Sequence, residues 1–215
     1  MTPRRLAHGY TNETWASAGS VFKRYPGPDA DARMQRELTA IGAARGAVPT
    51  ARVLAVHPAQ HTAEFGRVQG RPGQELVARG LAGPVLRAAG RVLAALHSLP
   101  DVHVTHGDYG PQNLLLDAAG EAVLLVADWE FSTRERRPVV DLAWAEWIVR
   151  MHHPREAASV DALYEGYGAE LPWNERQRVM LERCEVLRLR CVAAGDVAAA
   201  RTWATRALTT SSWSG

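Results

Sequence analysis

The hydrophobic pattern changes period once along the chain, near residue 70, and that change limits the folds open to it. Before it, short runs of β character dominate. "ETWASAGSVFKRY" alternates weakly around a turn at "AGS", and "ARVLAVH" and "TAEFGRVQG" come next as strand-like segments. One helix is expected among them, over "PGPDADARMQRELTAIGAARG". Pro28 and Asp29 are its entry signal, Met34, Leu38 and Ile41 its apolar stripe, and Gly46 its stop. A small sheet with one helix hardly stands alone, so it must lean on the C-terminal two-thirds of the chain. That part is helical: "GPVLRAAGRVLAALHSLP" is amphipathic, with Pro84 in its first turn and Pro100 beyond its end, and from Pro138 onward almost every segment has helical spacing. Between these helices lie two short apolar runs, "NLLLD" and "AVLLVAD", split by the turn "AAGE". The chain therefore reads as α+β in two lobes, a β-rich N-lobe with one helix at 1–69 and a mainly helical C-lobe at 70–215. Ligand sites favour the cleft between such units.

Composition narrows the function classes. The chain has 215 residues, 47% hydrophobic and 22% charged, which suits an ordered globular protein. Only the terminal "TTSSWSG" reads as a frayed tail. A net charge of +2 without a Lys/Arg-rich block argues against a nucleic-acid partner. No run approaches membrane-spanning length and no signal peptide is visible, so a cytoplasmic protein without a membrane partner is expected. Cys184 and Cys191 lie about 10 Å apart along a helix, too far for a disulfide. They read as buried thiols. His152 and His153 read as basic residues at a helix C-terminus. No GxxxxGK[ST] pattern is present, which removes the P-loop ATPases.

The chemistry gathers in "THGDYGPQNLLLD", residues 105–117, and in "VADWEF" downstream. Asp108 sits in a loop between a helix and the β-ribbon, Asn113 enters the first ribbon strand, and Asp128 ends the second. An antiparallel ribbon brings Asn113 and Asp128 to one open end, where an amide oxygen and a carboxylate can hold Mg²⁺ together with phosphate oxygens. Asp108 alongside can orient a hydroxyl and accept its proton. A cation is then needed for the phosphates, and Lys23 in "SVFKRY" is the only lysine in the chain. Glu37, on the next helix, is placed to pair with it. Base, metal ligands and a Lys–Glu pair are the recurring parts of a phosphoryl-transfer site.

The stretch "HGDYGPQNLLLD…VADWEF…DLAWAEW" resembles the aminoglycoside phosphotransferase and choline kinase-like family, which has the protein-kinase-like fold. "LAALHSLP", "VFKRY" and "QREL" resemble that family's helix before the catalytic loop, its lysine strand and its helix glutamate. The resemblance covers roughly residues 5–150. It implies Asp108 as catalytic base, Asn113 and Asp128 as metal ligands, and Lys23, held by Glu37, as the phosphate lysine. It further implies that His106 and Asp141 brace the loop. In "HGYTNETW", Gly9 and Asn12 match the phosphate-covering hairpin, while Tyr10 replaces a glycine. Gly66, Arg67 and Val68 fall where the hinge backbone meets the purine. The implied enzyme transfers the γ-phosphate of ATP or GTP, with Mg²⁺, to a hydroxyl of a small molecule. An aminoglycoside-like or other sugar-containing antibiotic comes first as acceptor, and a choline-type amino alcohol or a sugar second. A nucleotide-binding pseudokinase is the alternative of another class. A protein kinase is disfavoured, since only about ten residues separate "DWEF" from "DLA".

Overall fold

The computed structural model describes residues 4–5, 12–100 and 103–215. Strands β1 (Arg4–Arg5), β2 (Glu13–Ala16), β3 (Ser20–Arg24), β4 (Val53–His57) and β5 (Thr62–Gly66) form an antiparallel sheet in the order β1-β2-β3-β5-β4. Helix α1 (Ala30–Ala44) crosses between β3 and β4. Lys23 pairs with Thr14 on one side and Ala63 on the other. Strand alternation therefore puts Ala16, Val21, Lys23, Ala63 and Phe65 on the inner face, and Trp15, Phe22 and Glu64 on the outer. Helix α1 buries Ala30, Met34, Glu37, Ile41 and Ala44 at helical spacing, so a carboxylate sits in the middle of an apolar stripe. The helix ends before Gly46, whose φ of +88° is the left-handed turn expected of a stop. Asp29 differs from the expected entry cap: its side chain makes no backbone cap and accepts instead from Arg33 Nε at 3.0 Å.

The C-lobe holds α2 (Gly73–Ala78), α3 (Ala82–His97), α4 (Pro138–His152), α5 (Asp161–Tyr167), α6 (Trp173–Ala193) and α7 (Val197–Ser211). A second small sheet orders β6 (Arg71–Pro72), β7 (Leu114–Leu116) and β8 (Val123–Val126). Val126 N–H donates to the Pro49 carbonyl at 2.8 Å, tying this ribbon to the loop before β4. Helices α3 and α5 touch backbone to backbone. A Cβ on Gly90 would lie 2.1 Å from the Leu163 carbonyl oxygen, and one on Gly166 would lie 2.1 Å from that of Arg87. Trp147, fully buried, lies 4.4 Å from the Trp144 ring and 5.6 Å from the Trp203 ring, and those two are 6.3 Å apart, so the three indoles form one triangular cluster.

The C-terminal segment corrects the expectation of a frayed tail. Helix α7 runs to Ser211, and Trp213 packs against the cluster of α4, α6 and α7. The Arg150 guanidinium lies over the rings of Trp173 and Trp213, and Gln177 donates to the Trp213 carbonyl at 3.1 Å. One large amphipathic ring outweighs six polar or small neighbours.

Candidate active site

Loop 105–113 is fixed from three sides. Gly107 has φ +80°, and a Cβ there would sit 2.3 Å from the Phe131 carbonyl oxygen, so only glycine lets the loop approach the segment after Asp128 this closely. Asp141, fully buried in the first turn of α4, accepts the N–H groups of His106 (2.9 Å) and Gly107 (2.8 Å). His106 Nε2 lies 2.9 Å from the Ala127 carbonyl, and Ala127 N–H donates to the Asn113 carbonyl at 2.9 Å. The loop and the end of β8 thus form one hydrogen-bonded unit.

Asp108 stands on that unit. Trp144 Nε1–H donates to its Oδ1 at 2.8 Å and Asn113 Nδ2 to its Oδ2 at 3.0 Å. Burial pushes its carboxyl above the ordinary value. Arg183, the Trp144 N–H, His106 and the Asn113 amide pull it back without cancelling that rise. The same Asn113 amide donates to the Asp108 carbonyl at 2.8 Å, which leaves its oxygen as the atom able to meet a cation.

Across the cleft, Lys23 Nζ donates to Glu37 Oε2 at 2.6 Å and to Asp128 Oδ1 at 2.5 Å. Tyr25 hydroxyl donates to the same Glu37 oxygen at 2.8 Å. Burial opposes the charge of Lys23, yet Asp128 and Glu37 hold its proton affinity above the ordinary lysine value. Burial also opposes ionisation of Asp128, but the Lys23 ammonium outweighs it and the carboxyl is held below its usual value. Burial pushes Glu37 up despite Lys23. Asp128 adopts a left-handed backbone (φ 61°, ψ 54°) that turns the chain off β8, and its side chain stays 43% exposed. Its Oδ2 makes no hydrogen bond among the described residues. Asn113 Oδ1 and this carboxylate are hard oxygen donors that fit Mg²⁺ sharing phosphate oxygens. No group of three His, Cys, Asp or Glu side chains converges into a self-sufficient metal cage among the described residues.

The structure brings Asp108, Asn113, Asp128, Lys23 and Glu37 to one side of the cleft floor and roof, but the other candidates differ. Gly9 lies outside the described residues. Asn12 is buried, its amide donating to Glu130 Oε2 (2.9 Å) and accepting from Arg33 (3.0 Å), because Glu130 needs partners in its fully buried position. The N–H groups of Gly66 and Arg67 are spent on the carbonyls of Arg52 and Gly19, so of the hinge residues only Val68 keeps its backbone groups unbonded among the described residues. His152 and His153 are held below the ordinary imidazole value chiefly by burial, which disfavours the charge expected at the end of α4. Tyr25 and Arg183 are not legible as site residues, and Trp144 is legible only as an aromatic that could wall the acceptor pocket or pack in the core. Their one signal is helical or strand spacing, which core packing explains equally well. A hollow of about 820 Å³ lined by Trp15, Phe22, Tyr25 and His61 lies on the outer face of the sheet, away from Asp108.

A model of the phosphotransferase enzyme family matches residues 2–104. The match covers just under half of the chain, which is a phosphotransferase similar to this family. The match stops one residue before Thr105, and the fold carries the likeness through the catalytic-type loop and the helices beyond. A choline/ethanolamine kinase family protein from Mesorhizobium loti is 18% identical, with a TM-score of 0.73 over 99% of this phosphotransferase and 89% of its own chain. The streptomycin–ATP ternary complex of APH(2″)-IIa is 10% identical, with a TM-score of 0.70 over 97% and 91%. A macrolide 2′-phosphotransferase from Brachybacterium faecium is 16% identical, with a TM-score of 0.67 over 95% and 91%. These likenesses establish the two-lobed protein-kinase-like fold. No curated protein sequence matches the phosphotransferase, and among its described residues no helix is long and apolar enough to cross a membrane.

Proposed function

We propose that this phosphotransferase moves the γ-phosphate of ATP or GTP to a hydroxyl of an antibiotic, aminoglycoside-like or another sugar-containing metabolite, and so serves resistance or self-resistance. The observation that carries the reading is the meeting of Asp108, Asn113, Asp128 and Lys23 at one end of the β7–β8 ribbon. Asp108, held by Trp144 and Asn113, orients the acceptor hydroxyl and takes its proton. Lys23, charged and fixed by Glu37, positions the donor phosphates. Asn113 Oδ1 and the Asp128 carboxylate hold Mg²⁺, which when bound offsets charge developing on the phosphates. A purine edge meets the backbone at Val68. The acceptor class draws its support from similar folds described with streptomycin and as a macrolide 2′-phosphotransferase.

The test is nucleotide consumption with Mg²⁺ and ATP or GTP against aminoglycosides, macrolides, nucleoside antibiotics, choline and sugars. Asp108→Asn is expected to lower kcat by about 10²–10⁴ while the nucleotide KM stays put. Undiminished turnover in that variant would refute the role of Asp108.

A further inference from the structure

The acceptor side of the cleft is basic where a polycationic acceptor needs it acidic. Glu146, Glu165 and Glu170 are the C-lobe carboxylates that would greet an amine-rich molecule, and each is already answered. Glu146 is fully buried and accepts from Arg150 (2.8 Å), Arg176 (2.7 Å) and Tyr164 (2.6 Å). Glu170 faces Arg176 at 3.3 Å, and Glu165 pairs with Arg87.

Beside Asp108 stands Arg183 instead, with Arg190 next to it. Arg183 and Arg190 are seven residues apart on α6, hence on one helical face. Both guanidiniums lie over the Phe131 ring, at 5.6 and 5.3 Å, and Arg183 lies 5.4 Å from the Trp144 ring that holds Asp108. Neither reaches a carboxylate or any hydrogen-bond acceptor among the described residues, and the Nε of Arg183 is buried without a partner. Burial disfavours the charge of Arg183, Asp108 returns part of it, and Arg190 then opposes it again. Two like charges gathered on one ring, one half-buried, are unfavourable until an anion joins them. The guanidinium fork matches carboxylate and phosphate geometry.

We infer that the acceptor carries its own anionic group, a carboxylate or phosphate ester, bound by Arg183 and Arg190 while its hydroxyl faces Asp108. This rests on the proposed phosphotransfer and narrows its acceptor to an acidic hydroxyl compound, setting aside polycationic aminoglycosides. In the step, the hydroxyl oxygen forms the new bond to the γ-phosphorus and the bond to the β–γ bridging oxygen breaks. The nucleoside diphosphate leaves and the hydroxyl proton passes to Asp108.

The experiment is calorimetric titration of the whole chain, with Mg²⁺ and a non-hydrolysable ATP analogue present so that the donor-phosphate site is filled. The probes are sodium sulfate, glucuronate, glucose 6-phosphate, glucose and kanamycin. The anionic probes should bind at least tenfold more tightly than glucose or kanamycin. Arg183→Gln and Arg190→Ala should each weaken them tenfold or more and leave the affinity for the ATP analogue unchanged. Arg190 is exposed, so its variant folds whatever becomes of the other. Tighter binding of kanamycin, no binding of any anion, or arginine variants that weaken the nucleotide instead overturn the inference, the last by assigning the pair to the donor's phosphate. Turnover with ATP, followed on the same compounds, separates the two readings. Transfer to kanamycin keeps the kinase reading and overturns the anion subsite. Arginine-dependent anion binding without transfer to any acceptor, there or across the antibiotic panel, keeps the subsite and counts against the kinase reading.

Discussion

Replacing Lys23 by methionine, similar in length but uncharged, separates what the buried ion network does for the fold from what it does for the reaction. Lys23 is 5% exposed, Glu37 3% and Glu130 1%. Without the ammonium, Asp128 rehydrates cheaply because its side chain is 43% exposed, and Glu130 keeps Arg33 and Asn12. The loss falls on Glu37, left with the Tyr25 hydroxyl. Removing one partner of a buried pair costs about 3–5 kcal/mol. The surviving Tyr25 bond points to the lower end, about 3 kcal/mol at pH 7. For a chain of this size that is a fall in Tm of about 6–12 °C.

The deficit depends on pH in a definite sense. Burial already holds the folded-state value of Glu37 above its ordinary one, and loss of Lys23 raises it further. A carboxyl raised in the folded state destabilises the fold at pH above its unfolded value, about 4.3, and the penalty fades as pH falls toward that value. The deficit of Lys23→Met relative to wild type should therefore shrink between pH 7.5 and pH 5. Adding Glu37→Gln should restore most of the Tm at pH 7.5 without restoring turnover. Thermal unfolding of the three proteins by circular dichroism at both pH values is the assay. A single variant within 2 °C of wild type, or a double variant no more stable than the single, refutes the reasoning (threshold about one-third of the expected shift).

Two further outcomes concern the loop. Asp108 acts ionised, so kcat/KM should fall as pH drops through its folded-state value, with a midpoint above the ordinary carboxylate value because burial raises it. Loss of the opposing charge in Arg183→Gln should move that limb higher still, and a limb at the ordinary value would contradict the burial argument. Asp141→Ala leaves the buried N–H groups of His106 and Gly107 without an acceptor, at about 1–3 kcal/mol each. It should lower Tm and kcat while leaving the nucleotide KM unchanged, and an unchanged kcat would mean that the loop holds its shape without the carboxylate.

What the sequence determined by itself was the two-lobed order of elements and the chemical content of the central loop. Both are local. Helix α3 arises from the stripe between Pro84 and Pro100, and α1 stops at Gly46 because a left-handed residue is needed there. The polar density of 105–113 and the single lysine are visible without coordinates. Tertiary structure decided which groups those residues meet. Trp144 is 36 residues from Asp108 and Arg183 is 75, and no periodicity tells a core indole from one whose N–H holds a carboxylate. Asn12 turns inward to Glu130, 118 residues away, because a buried carboxylate takes whatever donors the packing presents. The tail docks for the same kind of reason: "TTSSWSG" is polar as a string, yet Trp213 finds Arg150 and the face of α6 only once the helices have crossed. Local preference writes the elements, while burial of charge and of large rings is settled by the neighbours that the fold brings in.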